Sequence, residues 1–379
     1  MDRLIIAKFL LRFLPYSETF VYAFIRNTKR FEQIIIADKR ENEDQFPYDS
    51  SKVFIFDKPD KNILNAEISL KHKFLLNMKN RYFYNVLRVN NVSLIHAHFG
   101  YVGVSALACA KRLKIPLVTS FHGLDMSKLG RDLYYRIMYK ELFTFGKAFI
   151  AEGSYMRKKL IELGCHEDKA RIIHIGADLR GIPFIPRRIR KGDKIRLLIC
   201  SRFVEKKGIP YGIKAFAGAL QTNRNMELNI IGGESRAYQA LIDQLGVGEN
   251  IKILGRMTHS DLIGYMQNSH IFLAPSVTAR DGDSEGGAPT IVIEASASGM
   301  PIISSFHADI PEVVIDGKTG LLSPERDVDA LTRNILTIAN NPELIVSMGQ
   351  EGRKHIEGEY DIVKETAKLE KLYDQIIHK

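Results

Sequence analysis

Ile195-Arg-Leu-Leu-Ile-Cys200-Ser-Arg-Phe-Val-Glu-Lys-Lys-Gly208-Ile-Pro-Tyr211-Gly-Ile-Lys-Ala-Phe-Ala-Gly-Ala-Leu220 sets a short apolar run, a basic loop and a helical stretch in succession. The run Ile195–Cys200 is short and rich in Ile and Leu, which predicts a strand covered on both faces. Tyr211–Leu220 then reads as a helix. The same alternation extends in both directions. Strands are expected at Leu4–Phe9, Gln33–Ala37, Lys52–Phe56, Ser93–His96, Leu117–Ser120, Ala148–Ala151 and Arg171–His174. A second series falls at Ile195–Cys200, Met226–Ile231, Ile251–Leu254, His270–Ala274, Pro301–Ser304 and Gly320–Leu322. Strands that alternate with helices imply an α/β protein with parallel, doubly wound sheets.

A chain of 379 residues exceeds one ordinary core, so two domains are expected. Gly181–Asp193 holds two prolines, two glycines and a basic cluster, and reads as the linker. The domains are therefore drawn at 1–185 and 186–360, with a helix over about 361–379, where Ile362–Ile377 carries an apolar face. No internal repeat or low-complexity tract interrupts this plan.

Composition excludes several classes. With 45% apolar and 26% charged residues the chain reads as globular. Cys109, Cys165 and Cys200 are far apart and form no C-x-x-C, so no disulfide frame or zinc site is expected. Lys8 and Arg12 interrupt the apolar N-terminal stretch, which reads as a strand and not a secretion signal. No segment approaches about 18 uninterrupted apolar residues, so no membrane span is expected. The net charge of +10 is uneven: residues 1–190 carry +14 and residues 191–379 carry −4. A basic half points to an anionic partner, whether nucleic acid, an acidic membrane surface or a phosphate-bearing substrate.

Chemistry-bearing residues stand at predicted strand ends, where open α/β sheets bind ligands. Arg202 and Lys207 follow the Ile195–Cys200 strand and suit a pyrophosphate. Asp283-Ser-Glu285-Gly-Gly-Ala-Pro289-Thr-Ile-Val-Ile-Glu294 offers two carboxylates, a double glycine and a proline placed to open a helix. The amides of that first turn favour an anion. Such a segment suits a sugar nucleotide, with phosphate on the amides and hydroxyls on Glu285 and Glu294. Ile230-Ile-Gly-Gly-Glu234 lacks G-x-G-x-x-G, so it indicates no nicotinamide or flavin cofactor; its glycines fit either a nucleotide base or ribose, or a tight turn.

In the first half, Ser120-Phe-His122-Gly-Leu-Asp125 leaves His122 on a loop, expected exposed, where an imidazole can bind a sugar hydroxyl or move a proton. His96 and His98 have metal-ligand chemistry but no third ligand spaced to join them. Ser17 fits a helix cap, or a substrate contact. Lys71–Arg88 interleaves basic and aromatic residues. It fits a surface helix with its apolar face in the core, or a helix on an anionic bilayer with Phe74, Leu75, Tyr82 and Phe83 inserting.

On these residues the chain resembles glycosyltransferase family 4, and within it bacterial enzymes of exopolysaccharide synthesis of the colanic-acid kind. The resemblance spans nearly the whole length and is strongest from Arg196 to Pro324. It implies a GT-B architecture: two doubly wound Rossmann-like domains facing an interdomain cleft, the first on the acceptor side and the second binding the nucleotide sugar, with the final helix packing back on the first. It also implies metal-independent transfer with retention at the anomeric carbon. By this likeness Arg202 and Lys207 hold the donor diphosphate and Glu294 the ribose. Glu285 contacts the donor sugar, and the segment Gly286, Gly287, Ala288, Pro289 and Thr290 serves the sugar or phosphate through the amides it has free. His122 matches the active-site histidine, and Asp178 lies in a family segment before the linker. Two departures stand out. Eight residues separate Glu285 from Glu294 where relatives have seven, which makes Asp283 or Ser284 a rival for the sugar contact; and Ser201 replaces a common glycine.

The expected function is a retaining, metal-independent hexosyltransferase using a UDP- or GDP-sugar and a lipid-linked saccharide or other carbohydrate acceptor, cytoplasmic and peripheral on the membrane. No cofactor, metal or nucleic-acid partner is expected. Its mechanism is either front-face, the departing phosphate taking the acceptor proton, or double displacement through Glu285. The alternatives are a basic nucleic-acid-binding protein, against which stands the lack of a recognised module, and a GT-B-like sugar-nucleotide epimerase.

Overall fold

The computed structural model describes residues 3–15, 18–56, 68–190, 192–234 and 236–378, with the backbone alone for 68–76. The chain divides into two compact units, Met1–Ile173 with Glu365–Lys379, and His174–Lys364.

The first unit holds a seven-stranded sheet in the order β3-β2-β1-β4-β5-β6-β7. Its strands are β1 (Ile5–Phe13), β2 (Glu32–Arg40), β3 (Val53–Ile55), β4 (Leu94–His98), β5 (Leu117–Ser120), β6 (Ala148–Ala151) and β7 (Ala170–Ile172). Every pairing is parallel. Parallel neighbours need crossovers, and the helices Gly100–Leu113, Leu133–Phe145 and Ser154–Glu162 supply three of them. The core joins Ile34, Ile36, Ile95, Leu117 and Phe149 from the strands to Leu107, Ala110, Leu142 and Leu160 from the helices.

The second unit holds a six-stranded parallel sheet in the order β10-β9-β8-β11-β12-β13. These are β8 (Ile195–Cys200), β9 (Met226–Ile231), β10 (Ile251–Ile253), β11 (Ile271–Ala274), β12 (Ile302–Ser305) and β13 (Gly320–Ser323). Leu197, Ile199, Leu228, Ile230 and Leu273 pack against Ile213, Phe216, Ile335 and Ile338. In both sheets the strand order reverses beside the first strand, between β1 and β4 and between β8 and β11. In doubly wound folds that reversal opens a crevice at the carboxyl ends of the strands.

The division falls at Ile173 and His174, earlier than the 185/186 boundary drawn from composition. Gly181–Asp193 is irregular, but it is part of the second unit. Arg187 is buried there, and its guanidinium donates to the carbonyl oxygens of Ser269 (2.6 Å), Ser298 (2.6 Å), Met266 (2.8 Å) and Ile185 (3.0 Å). With no carboxylate among these partners, burial pushes its pKa down to about 10. Ala177 forms a parallel bridge with Asp361 in the same unit.

Glu365–Lys379 groups with the first unit. Within the helix Ile362–Ile377, Tyr373 is fully buried beside Lys8 and His96, and Glu370 accepts from the amides of Lys29 (2.7 Å) and Arg30 (2.8 Å). Of the two readings of Lys71–Arg88, Phe83 follows the one with its apolar face in the core, and its insertion into a bilayer is corrected. Phe83 is not available to a bilayer: it packs edge-on against Phe9 at 5.3 Å in the core, because the helix Ile68–Val89 turns this face to the sheet. Tyr82 is half-buried against Phe56. The side chains of Phe74 and Leu75, and Ser17, lie outside the described residues. Among the described residues, no helix is long and apolar enough to cross a membrane.

Candidate functional site

In the second unit β8 ends at Cys200 and the chain turns through Ser201 and Arg202 into a single 3₁₀ turn, Glu205–Lys207. Gly208 closes that turn with φ +62° and starts the helix Ile209–Leu220. Only glycine fits, because a Cβ there would overlap the carbonyl oxygen of Pro275. The turn delivers Lys207 to a small cleft at the reversal point, lined by Cys200, Ser201, Lys207, Ala274, Ser276 and Pro289.

Glu285 meets Lys207 beside this cleft. Its side chain is 6% exposed, Lys207 Nζ donates to Oε2 at 2.8 Å and Ser276 Oγ to Oε1 at 2.8 Å. Burial alone would disfavour the carboxylate. The charges of Lys207 and Lys206 and the two hydrogen bonds outweigh it and hold the pKa below the ordinary value. Lys206 is buried and takes Asp283 (3.0 Å) and the carbonyl of Ser284 (2.8 Å). Glu285 is thus the carboxylate presented to Lys207, and Asp283 is committed elsewhere. Gly286, at φ +76°, turns the loop immediately after it.

Pro289 is the N-cap of the helix Thr290–Ala297, one position before the first helical residue expected for it; its ψ of 130° is extended, so the helix starts at Thr290. Glu294 is 13% exposed and 3.4 Å from His259 Nε2, whose pKa it raises through that hydrogen bond. Arg202 is exposed. The glycines after β9 let the chain pack closely on itself. A Cβ on Gly232 would overlap the carbonyl oxygen of Ser201, and one on Gly233 the ring of Phe203, so close approach within the protein accounts for both.

In the first unit, His122 follows β5 as expected, but its side chain is 7% exposed, not free on the surface. Asp125 causes this: fully buried, it accepts from the His122 amide at 3.0 Å and the Gly100 amide at 2.7 Å, folding the loop inward. The imidazole lies between Phe20 and Phe99, at 4.9 and 4.8 Å between ring centroids. Its Nδ1 is 2.7 Å from Glu152 Oε1 and its Nε2 3.2 Å from His98 Nδ1. Burial lowers its pKa to about 4, against the opposing charges of Asp125 and Glu18. His96 stacks on His98 at 4.5 Å and bonds Ser120 (2.8 Å), Tyr373 (2.5 Å) and Lys8 (3.0 Å).

Two family models divide the chain between them. Residues 19–180 match Glycosyltransferase Family 4, and residues 182–355 match Glycosyl transferases group 1. The chain belongs to glycosyltransferase family 4. It is 31% identical to the amylovoran biosynthesis glycosyltransferase AmsK of Erwinia amylovora over 70% of its own length. That match spans 65% of the relative, slightly under two thirds. WcaL of Escherichia coli K12, a glycosyltransferase named for colanic acid biosynthesis, is 29% identical over 72% of this chain and 69% of its own. Among solved structures, HepE of Anabaena, in complex with UDP and glucose, superposes with a TM-score of 0.77 at 17% identity, covering 98% of this chain and 100% of that one. A glycosyltransferase of Rickettsia africae gives 0.78 at 17%, covering 100% and 99%. These likenesses show the GT-B fold.

Within this family 4 chain, the structure brings Lys207 and Pro289 to one cleft in the second unit, bonds Glu285 to its Lys207 and Ser276, and sets Glu294 on the helix that follows; His122 belongs to the first unit. Several residues escaped the sequence reading. His307 accepts from the Glu285 amide at 3.1 Å through Nε2 and reaches Glu325 at 2.6 Å through Nδ1. Burial disfavours the Glu325 carboxylate, but hydrogen bonds from His307 and Thr278 prevail and lower its pKa. Ser201 Oγ is buried at the cleft without a partner among the described residues. Glu152 was legible in principle, because it follows β6 as His122 follows β5. Among the described residues, no group of three or more His, Cys, Asp or Glu side chains is placed to hold a metal.

Proposed function

We propose that this chain is a retaining glycosyltransferase of exopolysaccharide synthesis. It moves a hexosyl unit from a UDP- or GDP-sugar to a lipid-linked saccharide or another carbohydrate. The observation that carries this reading is the ionised Glu285, held by Lys207 and Ser276, two residues that line a cleft at the reversal point of the second sheet. Lys207 has three N–H donors and Glu285 takes one, so the others can turn to phosphate oxygens. Arg202, exposed at the same strand end, and the first-turn amides of Thr290–Ala297 add positive potential for the departing diphosphate. Glu285 is a carboxylate for sugar hydroxyls and Glu294 for the ribose. His122 contacts the donor sugar.

Front-face transfer fits Glu285 better than double displacement. A carboxylate with both oxygens hydrogen-bonded and its pKa lowered is a weak nucleophile. In the front-face route the leaving phosphate oxygen takes the acceptor hydroxyl proton as the new glycosidic bond forms. Basic side chains and helix amides carry the leaving charge in place of a metal.

Association with the cytoplasmic face of an anionic membrane is part of this reading. It rests on the start of the helix Leu133–Phe145, where Leu133, Tyr134 and Ile137 are 72%, 62% and 57% exposed beside Arg131, Arg136 and Lys140. A panel of UDP-glucose, UDP-galactose, UDP-N-acetylglucosamine, GDP-mannose and GDP-fucose tests the donor by thermal shift, with and without EDTA. A ligand present at 100 times its Kd should stabilise the fold by about 2.7 kcal/mol. No shift with any donor, or a shift abolished by EDTA and restored by Mg²⁺, would overturn the assignment or its metal-free form respectively.

A further inference from the structure

We propose that Glu152 is a positioning residue that locks His122 as the Nδ1–H tautomer, so that Nε2 is a hydrogen-bond acceptor and the imidazole reads a substrate hydroxyl, not a phosphate oxygen. The identity of His122 as a substrate contact rests on the function proposed above; the tautomer does not.

The assignment follows from donor and acceptor counting. A carboxylate only accepts, so the His122 nitrogen 2.7 Å from Glu152 carries the proton. In the neutral ring Nε2 then holds the lone pair. Its neighbour at 3.2 Å, His98 Nδ1, must be the donor, because two facing lone pairs would repel. The other nitrogen of His98 is left as a bare acceptor, and His98 Nε2 is buried without a partner among the described residues. The alternative tautomer of His122 would set its Nδ1 lone pair against the Glu152 carboxylate. The near-parallel rings of His98 and His122, 7° apart with centroids at 5.4 Å, keep the second link in place. A buried carboxylate on Nδ1–H is a general way of fixing an imidazole's tautomer and plane. An acceptor nitrogen cannot bond a phosphate oxygen, which has no proton at neutral pH. It can bond a sugar hydroxyl that displaces the His98 N–H, because the nitrogen has one lone pair to offer.

The test uses the full-length chain labelled with ¹⁵N at histidine. Two-bond ¹H–¹⁵N correlations of the imidazoles, with His122 assigned by its loss in His122→Ala, report which nitrogen is protonated. Wild type should show Nδ1–H. Glu152→Gln, whose amide can donate as well as accept, should move His122 toward Nε2–H. With whichever donor the thermal panel selects, it should lower kcat roughly 10²-fold while leaving the Kd for the free nucleoside diphosphate unchanged. Glu152→Asp, which keeps the carboxylate, should keep the tautomer and serves if the glutamine variant does not fold. An Nε2–H tautomer in wild type, or an unaltered tautomer in folded Glu152→Gln, overturns the proposal. A changed tautomer with full turnover in both Glu152→Gln and His122→Ala supports the lock and removes His122 from the substrate.

Discussion

At the residue scale, two cations near one strand end should behave differently when removed. Arg202 is exposed, so Arg202→Ala should weaken nucleoside-diphosphate binding about tenfold or more with no change in Tm. Lys207 is 13% exposed and neutralises Glu285, so Lys207→Ala should weaken binding and also destabilise the fold by roughly 3 kcal/mol, because a buried carboxylate loses its partner. Unchanged binding in both variants, measured by calorimetry, would remove the diphosphate from this cleft. A third cation, Lys8, has no such task. Fully buried in β1, its pKa is pushed down by burial to about 7 despite Glu370 nearby. The unfolded chain binds the Lys8 proton up to its ordinary 10.5, the folded chain only up to about 7. Between those values the unfolded state holds more protons, so stability rises with pH there, by on the order of 5 kcal/mol in total. Lys8→Met should flatten the rise in Tm between pH 7.5 and 9.5; an identical slope in both proteins would contradict the buried neutral amine.

At the element scale, local pattern and long-range pairing divide what was legible. Leu117–Ser120, Ala148–Ala151, Ile195–Cys200 and Met226–Ile231 are found at their expected bounds, since each is a compact apolar run closed by a change of residue type. β1 instead continues to Phe13, because β2 runs beside it as far as the Phe13–Arg40 pair, and no local signal encodes a neighbour. Lys207, Glu285 and Glu294 could be read from strand ends and carboxylate spacing. His307 and Glu325 could not, because each acts through a partner distant in sequence. Arg187 shows the same limit from the other side. In a segment of prolines and basic residues its charge reads as solvated, yet it ties four carbonyl oxygens of the second unit. Arg187→Ala removes the donor they share and should cost about 2–4 kcal/mol, with Arg187→Lys recovering little because an ammonium cannot reproduce the planar fork. Urea unfolding followed by circular dichroism checks this, and a loss under 0.5 kcal/mol would mean the segment is only loosely attached.

At the scale of the whole molecule, the uneven charge and the exposed apolar cluster make one prediction. The protein should co-sediment with vesicles containing phosphatidylglycerol, bind phosphatidylcholine vesicles weakly, and dissociate at high salt, because each basic residue near the surface contributes about 1 kcal/mol screened over about 8 Å. Leu133→Ser with Ile137→Ser should weaken binding that salt alone does not remove. Equal, negligible binding to both vesicle types would assign the basic half another partner. The division of the chain has a different consequence, in the time taken to make it. The first unit is completed only by Glu365–Lys379, and all of His174–Lys364 is translated in between. At about 5–20 residues per second, the nascent sheet waits roughly 10–40 s for the helix that supplies Tyr373 to Lys8 and Glu370 to the Lys29 and Arg30 amides. During that interval the first unit, begun earlier, still presents an open flank. The half made first is therefore the one finished last, and the one in which a chaperone has longest to bind.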